Sequence, residues 1–306
     1  MAASLRRDPM RVVVPASSAN LGPAFDSAGL ALEIVDDLVA MITDDDGVLI
    51  EVAGEGADDV PLDDSHLVAR AMALGFAAMD AHPRGFILRC NNSIPHGRGL
   101  GSSAAAIVGG LVLARALVLA GDTLLPDTEL LQIARAMESH PDNISAALFG
   151  GLTFAWTGDS GLAGHIRLEL HPEIKLVMAV PETVLPTVEA RMLLPNEVAF
   201  DDAAFNVARS ALLLHALTTA PEHLMEATTD RLHQNLRRSI YGSSLELVAA
   251  LRDNGVPAVI SGAGPSVLAL ASETNVDLVA ILAGSGWQVR PVTVSGQGAR
   301  TVPIGI

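Results

Sequence analysis

Between Ile94 and Ala106 the chain reads Ile-Pro-His-Gly-Arg-Gly-Leu-Gly-Ser-Ser-Ala-Ala-Ala. Three alternating glycines, Gly97, Gly99 and Gly101, run through Ser102 and Ser103 into an apolar stretch, and this pattern can cradle a phosphate. Glycine admits positive φ and lets the backbone come close to an anion. A helix capped at Ser102 or Ser103 would turn free N–H groups and the positive end of its dipole toward that anion. No lysine follows the glycines, so the loop is not a Walker A motif, and G-x-G-x-G is not the dinucleotide fingerprint. The same residues would also serve as a plain tight turn before a helix, and the loop alone leaves the two readings even.

Other polar side chains could complete such a site. Asn20 and Asp26 lie in Pro15-Ala16-Ser17-Ser18-Ala19-Asn20-Leu21-Gly22-Pro23-Ala24-Phe25-Asp26, a turn-rich segment after a β-branched run; they could hold a ligand or form Asx turns. Glu138 precedes Ser139-His140-Pro141-Asp142-Asn143 and could offer an oxygen to a metal-bound phosphate, while His140 alone reads as a structural residue. Arg191 sits in a short helical stretch. Arg231, Arg237 and Arg238 cluster in an acidic chain, although helix C-termini also favour basic residues. The triplet Asp44-Asp45-Asp46 before Gly47 reads as a solvated hairpin turn rather than a metal loop.

These residues need elements to hold them. Arg11 to Val14 reads as a first strand ended by Pro15. Leu38 to Thr43 and Val48 to Ala53 read as a hairpin across Asp-Gly. His66 to Ala81 reads as a helix capped by Asp63-Asp64, and Phe86 to Cys90 as the strand feeding the glycine loop. Helices follow at Ser102 to Leu119 and Thr128 to Glu138, the second broken by Pro141. After a strand near Gly150 to Trp156, a turn at Thr157 to Gly161 separates a region 1–160 from a region 161–306. The latter carries strands at Ile166 to Leu170 and Lys175 to Val180, helices at Ala203 to Thr219, Glu222 to about Arg237 and Ser243 to Asn254, then strand, strand, helix and strand. That order predicts an α+β fold with antiparallel sheet and helices on one face.

The chain has 306 residues, 50% hydrophobic and 18% charged, with 3% aromatic, so a large core must be built from Ala, Val, Leu and Ile. A net charge of -16 argues against nucleic acid and anionic membrane as partners. Cys90 is the only cysteine, which excludes an internal disulfide and a cysteine-based zinc site. Met1 to Met10 hold Arg6 and Arg7 without an apolar core, and no run approaches the ~18 residues of a membrane span. A reducing cytoplasm is expected.

Pro15 to Asp26, Pro95 to Ala105 and Ser261 to Leu270, in that order, resemble the small-molecule kinase superfamily of galactokinase, homoserine kinase, mevalonate kinase and phosphomevalonate kinase, the GHMP kinases. Ser18 to Asp26, Gly97 to Ala104 and His140-Pro141-Asp142-Asn143 look like its homoserine kinase branch. The resemblance implies an N-terminal ribosomal-protein-S5-like domain and a C-terminal ferredoxin-like domain with the site between them. It implies ATP, Mg²⁺ and L-homoserine as the molecules bound, and a homodimer. The triphosphate would lie on Pro95, His96, Gly97, Arg98, Gly99, Leu100, Gly101, Ser102, Ser103, Ala104 and Ala105, with Ser103 and Glu138 on the metal. Asp26 would take the substrate ammonium and Arg191 and Arg237 its carboxylate. Asn20 and Asn143 would hydrogen-bond around it, and the turn Gly262 to Pro265 would support the phosphate loop. Asn143, Ser103 and Glu138 are the residues expected at the chemistry, with no dedicated base. The chain departs from the pattern at Ala24, where glycine is usual, and at Asn235-Leu236-Arg237, where Pro-aromatic-Arg is common. Alternatives are a sister kinase of another hydroxylated metabolite and a non-catalytic nucleotide-binding regulator on the same fold.

Overall fold

The computed structural model describes residues 3–138, 141–185 and 187–304. Its first half runs β1 (Met10–Ala19), β2 (Ala28–Thr43), β3 (Gly47–Gly54), α1 (Leu67–Ala78), β4 (Gly85–Asn92), α2 (Ser102–Leu117), α3 (Gly121–Leu124), α4 (Asp127–Met137), α5 (Pro141–Phe149), β5 (Leu152–Thr157) and β6 (Ala163–Leu168). The second half runs β7 (Lys175–Pro181), α6 (Thr187–Met192), α7 (Phe200–Thr218), α8 (Leu224–Ala227), α9 (Arg238–Asp253), β8 (Ala258–Ile260), β9 (Val267–Ala271), α10 (Val276–Ala283), β10 (Trp287–Val292) and β11 (Arg300–Val302).

Two sheets result. The first has the order β11-β1-β2-β4-β3, with β5 joined to the far end of β2 and β6 to β5. The second is antiparallel throughout, in the order β10-β7-β9-β8. Its sequence of strand, helices, strand, strand, helix, strand is the α+β, ferredoxin-like arrangement expected. The first sheet takes β6 as well as the chain's last strand, so the sheets part between Leu168 and Lys175.

The apolar stretch after the glycines is the central element of the first half. α2 packs against α1, β1 and α5, and Leu111, Leu113 and Leu117 are fully buried. Each contributes roughly 1.5–3 kcal/mol through burial. The core is aliphatic, as the scarcity of aromatics requires.

Several local expectations give way to tertiary pairing. Pro15 does not end the first strand: β1 continues to Ala19 through an irregularity at Pro15/Ala16, so Ser17 and Ser18 are buried strand residues. The Asp44 to Gly47 turn forms, yet β2 and β3 are not neighbours. β4 lies between them, antiparallel to β2 and parallel to β3, because a buried central strand needs a partner on each side and turn chemistry cannot say which. The acidic triplet is indeed a surface turn, with Asp44 paired to Arg7 and Asp46 to Arg84. Asp63 does not cap α1; it accepts from the amide and hydroxyl of Ser65. Pro141 opens α5 instead of merely ending a helix, as suits a residue whose missing N–H would have been unpaired anyway. The helix expected from Glu222 to Arg237 stops at Ala227, where Asp230 draws the amides of Leu232, His233 and Gln234 onto its carboxylate. Ser139, His140 and Pro186 lie outside the described residues.

Candidate active site

The glycine loop leaves β4 and enters α2 with Gly97, Gly99 and Gly101 all at positive φ (63°, 72° and 68°). Gly101 is the N-cap of α2, so Ser102 and Ser103 are its first helical residues rather than its caps. The first intrahelical bond comes from Ala105 to the Gly101 carbonyl, 2.9 Å. The amides of Ser102, Ser103 and Ala104 therefore have no acceptor within the helix and face the loop mouth.

The second half of the chain holds this loop from behind. Ser261 donates to the Gly99 carbonyl (2.6 Å) and accepts from Ser18 Oγ (2.8 Å), and the Leu185 amide donates to the Gly97 carbonyl (2.7 Å). Arg98 turns away from the loop mouth, its guanidinium donating to the carbonyls of Pro181 (3.0 Å) and Glu182 (2.9 Å) at the end of β7. It ties the loop to the second sheet.

In front of the loop lies a cavity bordered by Gly97, Gly99, Leu100, Gly101, Ser102 and Ser103 on one side. Asn20, Asp26, Glu138, Asn143, Arg191 and Arg237 border the other, with Gly262 closing one end. Residues from six separate stretches thus meet. Ser103 Oγ donates to Glu138 Oε2 over 2.5 Å. Asp26 and Arg191 form a fork, Nη2 to Oδ2 at 2.5 Å and Nη1 to Oδ1 at 3.2 Å, and this hydrogen bond raises the Arg191 pKa above its ordinary value. Arg237 is buried, which lowers its pKa; its Nε donates to the Ala190 carbonyl over 2.8 Å. Of the clustered arginines, only Arg237 reaches the cavity. Arg231 lies over Phe205 (3.9 Å) and Arg238 donates to Asn235 Oδ1 (3.4 Å).

The loop carrying Asn20 and Asp26 is locally strained and held from outside. Asn20, Leu21 and Asp26 have positive φ (69°, 47° and 53°), whereas Ala24 does not, so alanine replaces glycine there without conflict. Asn20 Oδ1 accepts from the Asp26 amide (2.9 Å) and its Nδ2 donates to the Gly262 carbonyl (2.9 Å). It is an Asx-type brace as well as a cavity residue. Ser210 and Asn206 of α7 donate to the Pro23 carbonyl (2.8 and 3.3 Å). Such non-glycine φ values persist only where surrounding contacts impose them.

Some site residues escaped the sequence reading. Ser17, on β1, donates to Asn143 Oδ1 over 2.9 Å. Phe25 lies beneath both guanidiniums, with Arg191 Cζ 5.5 Å and Arg237 Cζ 5.8 Å from the ring centre. Both lie beside residues that were named, but an apolar ring and a strand serine carry no signal of their own.

Beyond Ser102 and Ser103 a second, largely apolar cavity opens, bordered by Val14, Leu38, Val60, Pro61, Val68 and Ala106. Asp36 stands at its edge, buried, one carboxylate oxygen accepting from the amides of Ser93 (2.7 Å) and Ile94 (2.9 Å) at the entry to the glycine loop. Burial outweighs those bonds and pushes its pKa up to about 6. Because the folded value exceeds the unfolded one, this group's contribution to stability is full below about pH 4 and falls as pH rises toward 6. The loss is roughly 2–3 kcal/mol. In Asp36→Asn that dependence disappears, so the unfolding temperature of the variant relative to the parent should be higher at pH 7.5 than at pH 4.5 in parallel thermal melts.

Comparison with known proteins accords with this geometry. The family model for the GHMP kinases N terminal domain matches residues 66–151, and that for the GHMP kinases C terminal domain matches residues 208–280. The homoserine kinase of Streptomyces avermitilis is 48% identical over 98% of both chains. The chain belongs to the homoserine kinase branch of the GHMP kinase family. The homoserine kinase of Mycobacterium tuberculosis is also 48% identical, over 95% of this chain and 93% of its own. The crystal structure of homoserine kinase from Cytophaga hutchinsonii, 23% identical, shares the fold with a TM-score of 0.83 over 99% of this chain and 100% of that one. The chain is a kinase of a family that uses ATP.

Proposed function

We propose that this GHMP kinase transfers the γ-phosphoryl group of ATP to the side-chain hydroxyl of L-homoserine, forming O-phospho-L-homoserine for threonine synthesis. The observation that carries the reading is a mixed-charge cavity, Asp26 with Arg191 and Arg237, at the mouth of the glycine loop. A zwitterionic amino acid needs one anionic and one cationic partner, and a sugar or a mevalonate does not. Adenine would enter the apolar cavity beyond Ser102 and Ser103, placing the phosphates on the free amides of α2. The part that binds nucleotide is the first sheet with its helices; we place its division from the second at residues 169–174.

Ser103 Oγ and the Glu138 carboxylate are hard oxygen donors in hydrogen-bond contact, a set that suits Mg²⁺. When bound, Mg²⁺ would neutralise charge on the β- and γ-phosphates. The remaining work falls to the chain. Asp26 pairs with the substrate ammonium, and Arg191 and Arg237 with its carboxylate. Asn20 and Asn143 fix the amino acid so that the hydroxyl faces the γ-phosphorus. Asn143 cannot take a proton at neutral pH, and the Asp142 carboxylate already accepts from the Asn143 amide (2.7 Å) and Nδ2 (3.3 Å). The hydroxyl proton therefore leaves late, to the phosphoryl group or to solvent. Alignment and charge stabilisation supply the rate.

A coupled assay of ADP formation with homoserine, serine, mevalonate and galactose tests the reading. Turnover confined to homoserine supports it; turnover with another acceptor, or ATP binding without turnover, overturns it. Glu138→Gln should raise the Mg²⁺ concentration for half-maximal rate about tenfold while leaving KM for homoserine nearly unchanged, seen in rates titrated with Mg²⁺. A cytoplasmic location and a homodimer belong to the same proposal, the latter checked by light scattering.

A further inference from the structure

The buried imidazole of His233 takes no part in the reaction as proposed, yet two substrate-facing segments meet on it and a third is reached through Arg237. It is 1% exposed. Its Nε2 lies 2.7 Å from the Gly22 carbonyl, and since a carbonyl only accepts, that nitrogen carries the proton. Its Nδ1 lies 3.4 Å from Arg237 Nη1, which only donates, so Nδ1 presents its lone pair. Both neighbours require the same neutral tautomer, and burial lowers the imidazole pKa accordingly. Asp230 fixes the backbone beneath, accepting from the His233 amide over 3.1 Å. The Phe25 ring stands 5.0 Å from the imidazole, and Arg237 Nε reaches the carbonyl of Ala190, next to Arg191.

We infer that His233 is a positioning residue for the amino-acid subsite: its Nε2–H clamps Gly22 while its Nδ1 aims the Arg237 fork, holding Asp26, Arg191 and Arg237 at one separation. This role rests on the homoserine reading above. It explains why a histidine, and not merely a buried apolar residue, stands there. One ring supplies a donor to a strained loop and an acceptor to a cation on opposite edges.

The test uses the full chain with His233→Ala, His233→Asn and His233→Gln, varying homoserine and ATP separately and recording thermal melts. Alanine loses both contacts and should raise KM for homoserine about 10-fold to 30-fold, with KM for ATP within about twofold. Asparagine keeps an acceptor near the Nδ1 position, and glutamine a donor able to reach Gly22. Each should recover part of the loss, so their comparison stands even where alanine prevents folding. Unchanged KM for homoserine in all three, or both KM values rising together with a lowered melting temperature, overturns the role. Nitrogen-15 NMR of the parent should show Nε2 protonated and Nδ1 bare between about pH 6 and 8. The opposite tautomer or a cation overturns the clamp. Failure of the parent itself to phosphorylate homoserine overturns the functional reading instead, and the tautomer still decides the clamp.

Discussion

With Arg191 replaced by alanine, KM for homoserine is expected to rise about 10²-fold while KM for ATP stays within about twofold. A factor of 10² is about 2.7 kcal/mol, the scale of one bidentate charge-assisted contact. Without substrate, Arg191 and Asp26 neutralise each other through two hydrogen bonds, 2.5 and 3.2 Å. Their side chains are 41% and 30% exposed, so the pair itself stabilises the fold by only about 0–1 kcal/mol. Thermal melts should consequently move by no more than about 3 °C, and loss of binding separates from loss of fold. Arg191→Lys restores the charge without the planar fork and should recover only part of the loss. Asp26→Asn should match Arg191→Ala, and the double variant should cost less than the sum, because each single variant leaves the other partner unpaired. Steady-state kinetics with each substrate varied in turn decide the matter. A parallel rise in both KM values would show that Arg191 braces the cavity instead of reading the substrate.

Gly101→Ala is the second large effect. From sequence, valine at Gly99 or Gly101 is expected to raise KM for ATP far more than that for homoserine. The folded chain revises this for position 101. A Cβ there would overlap Ser17 Oγ and come within 3.0 Å of Asn143 Oδ1, breaking the Ser17–Asn143 bond on which the proposed placing of Asn143 depends. The backbone at φ 68° adds about 1–2 kcal/mol of strain for any L side chain. Displacing Asn143 and the start of α2 together should lower kcat about 10²-fold and disturb both substrates. Ser17→Ala removes the hydroxyl that the new methyl would strike. The double variant Ser17→Ala/Gly101→Ala should therefore regain part of kcat, and a double variant worse than Gly101→Ala would sink the explanation. Gly99 differs. A Cβ there would overlap the Ser261 carbonyl oxygen, a backbone atom with no rotamer to yield. Gly99→Ala should part the phosphate loop from the turn behind it and lower the melting temperature as well.

The sequence by itself determined the conformation of the glycine loop and the start of α2, because three glycines at alternate positions, two serines and an apolar helix are local chemistry. Positive φ, free amides and a dipole all follow from residues 97 to 104. It also determined the aliphatic core and the antiparallel second sheet, both of which follow from composition and element order. The particular roles of the remaining site residues were legible only through family likeness, since Asp26, Glu138, Arg191 and Arg237 are each ordinary in their own stretch. Only the tertiary structure decided which neighbouring arginine is buried in the cavity and that Arg98 faces the second sheet. It also decided that β4 lies between β2 and β3, and that Ser17, Phe25 and His233 join the site. Each of those outcomes is set by contacts between residues far apart in the chain, where a side chain's partner depends on which surfaces pack together and not on its neighbours in sequence.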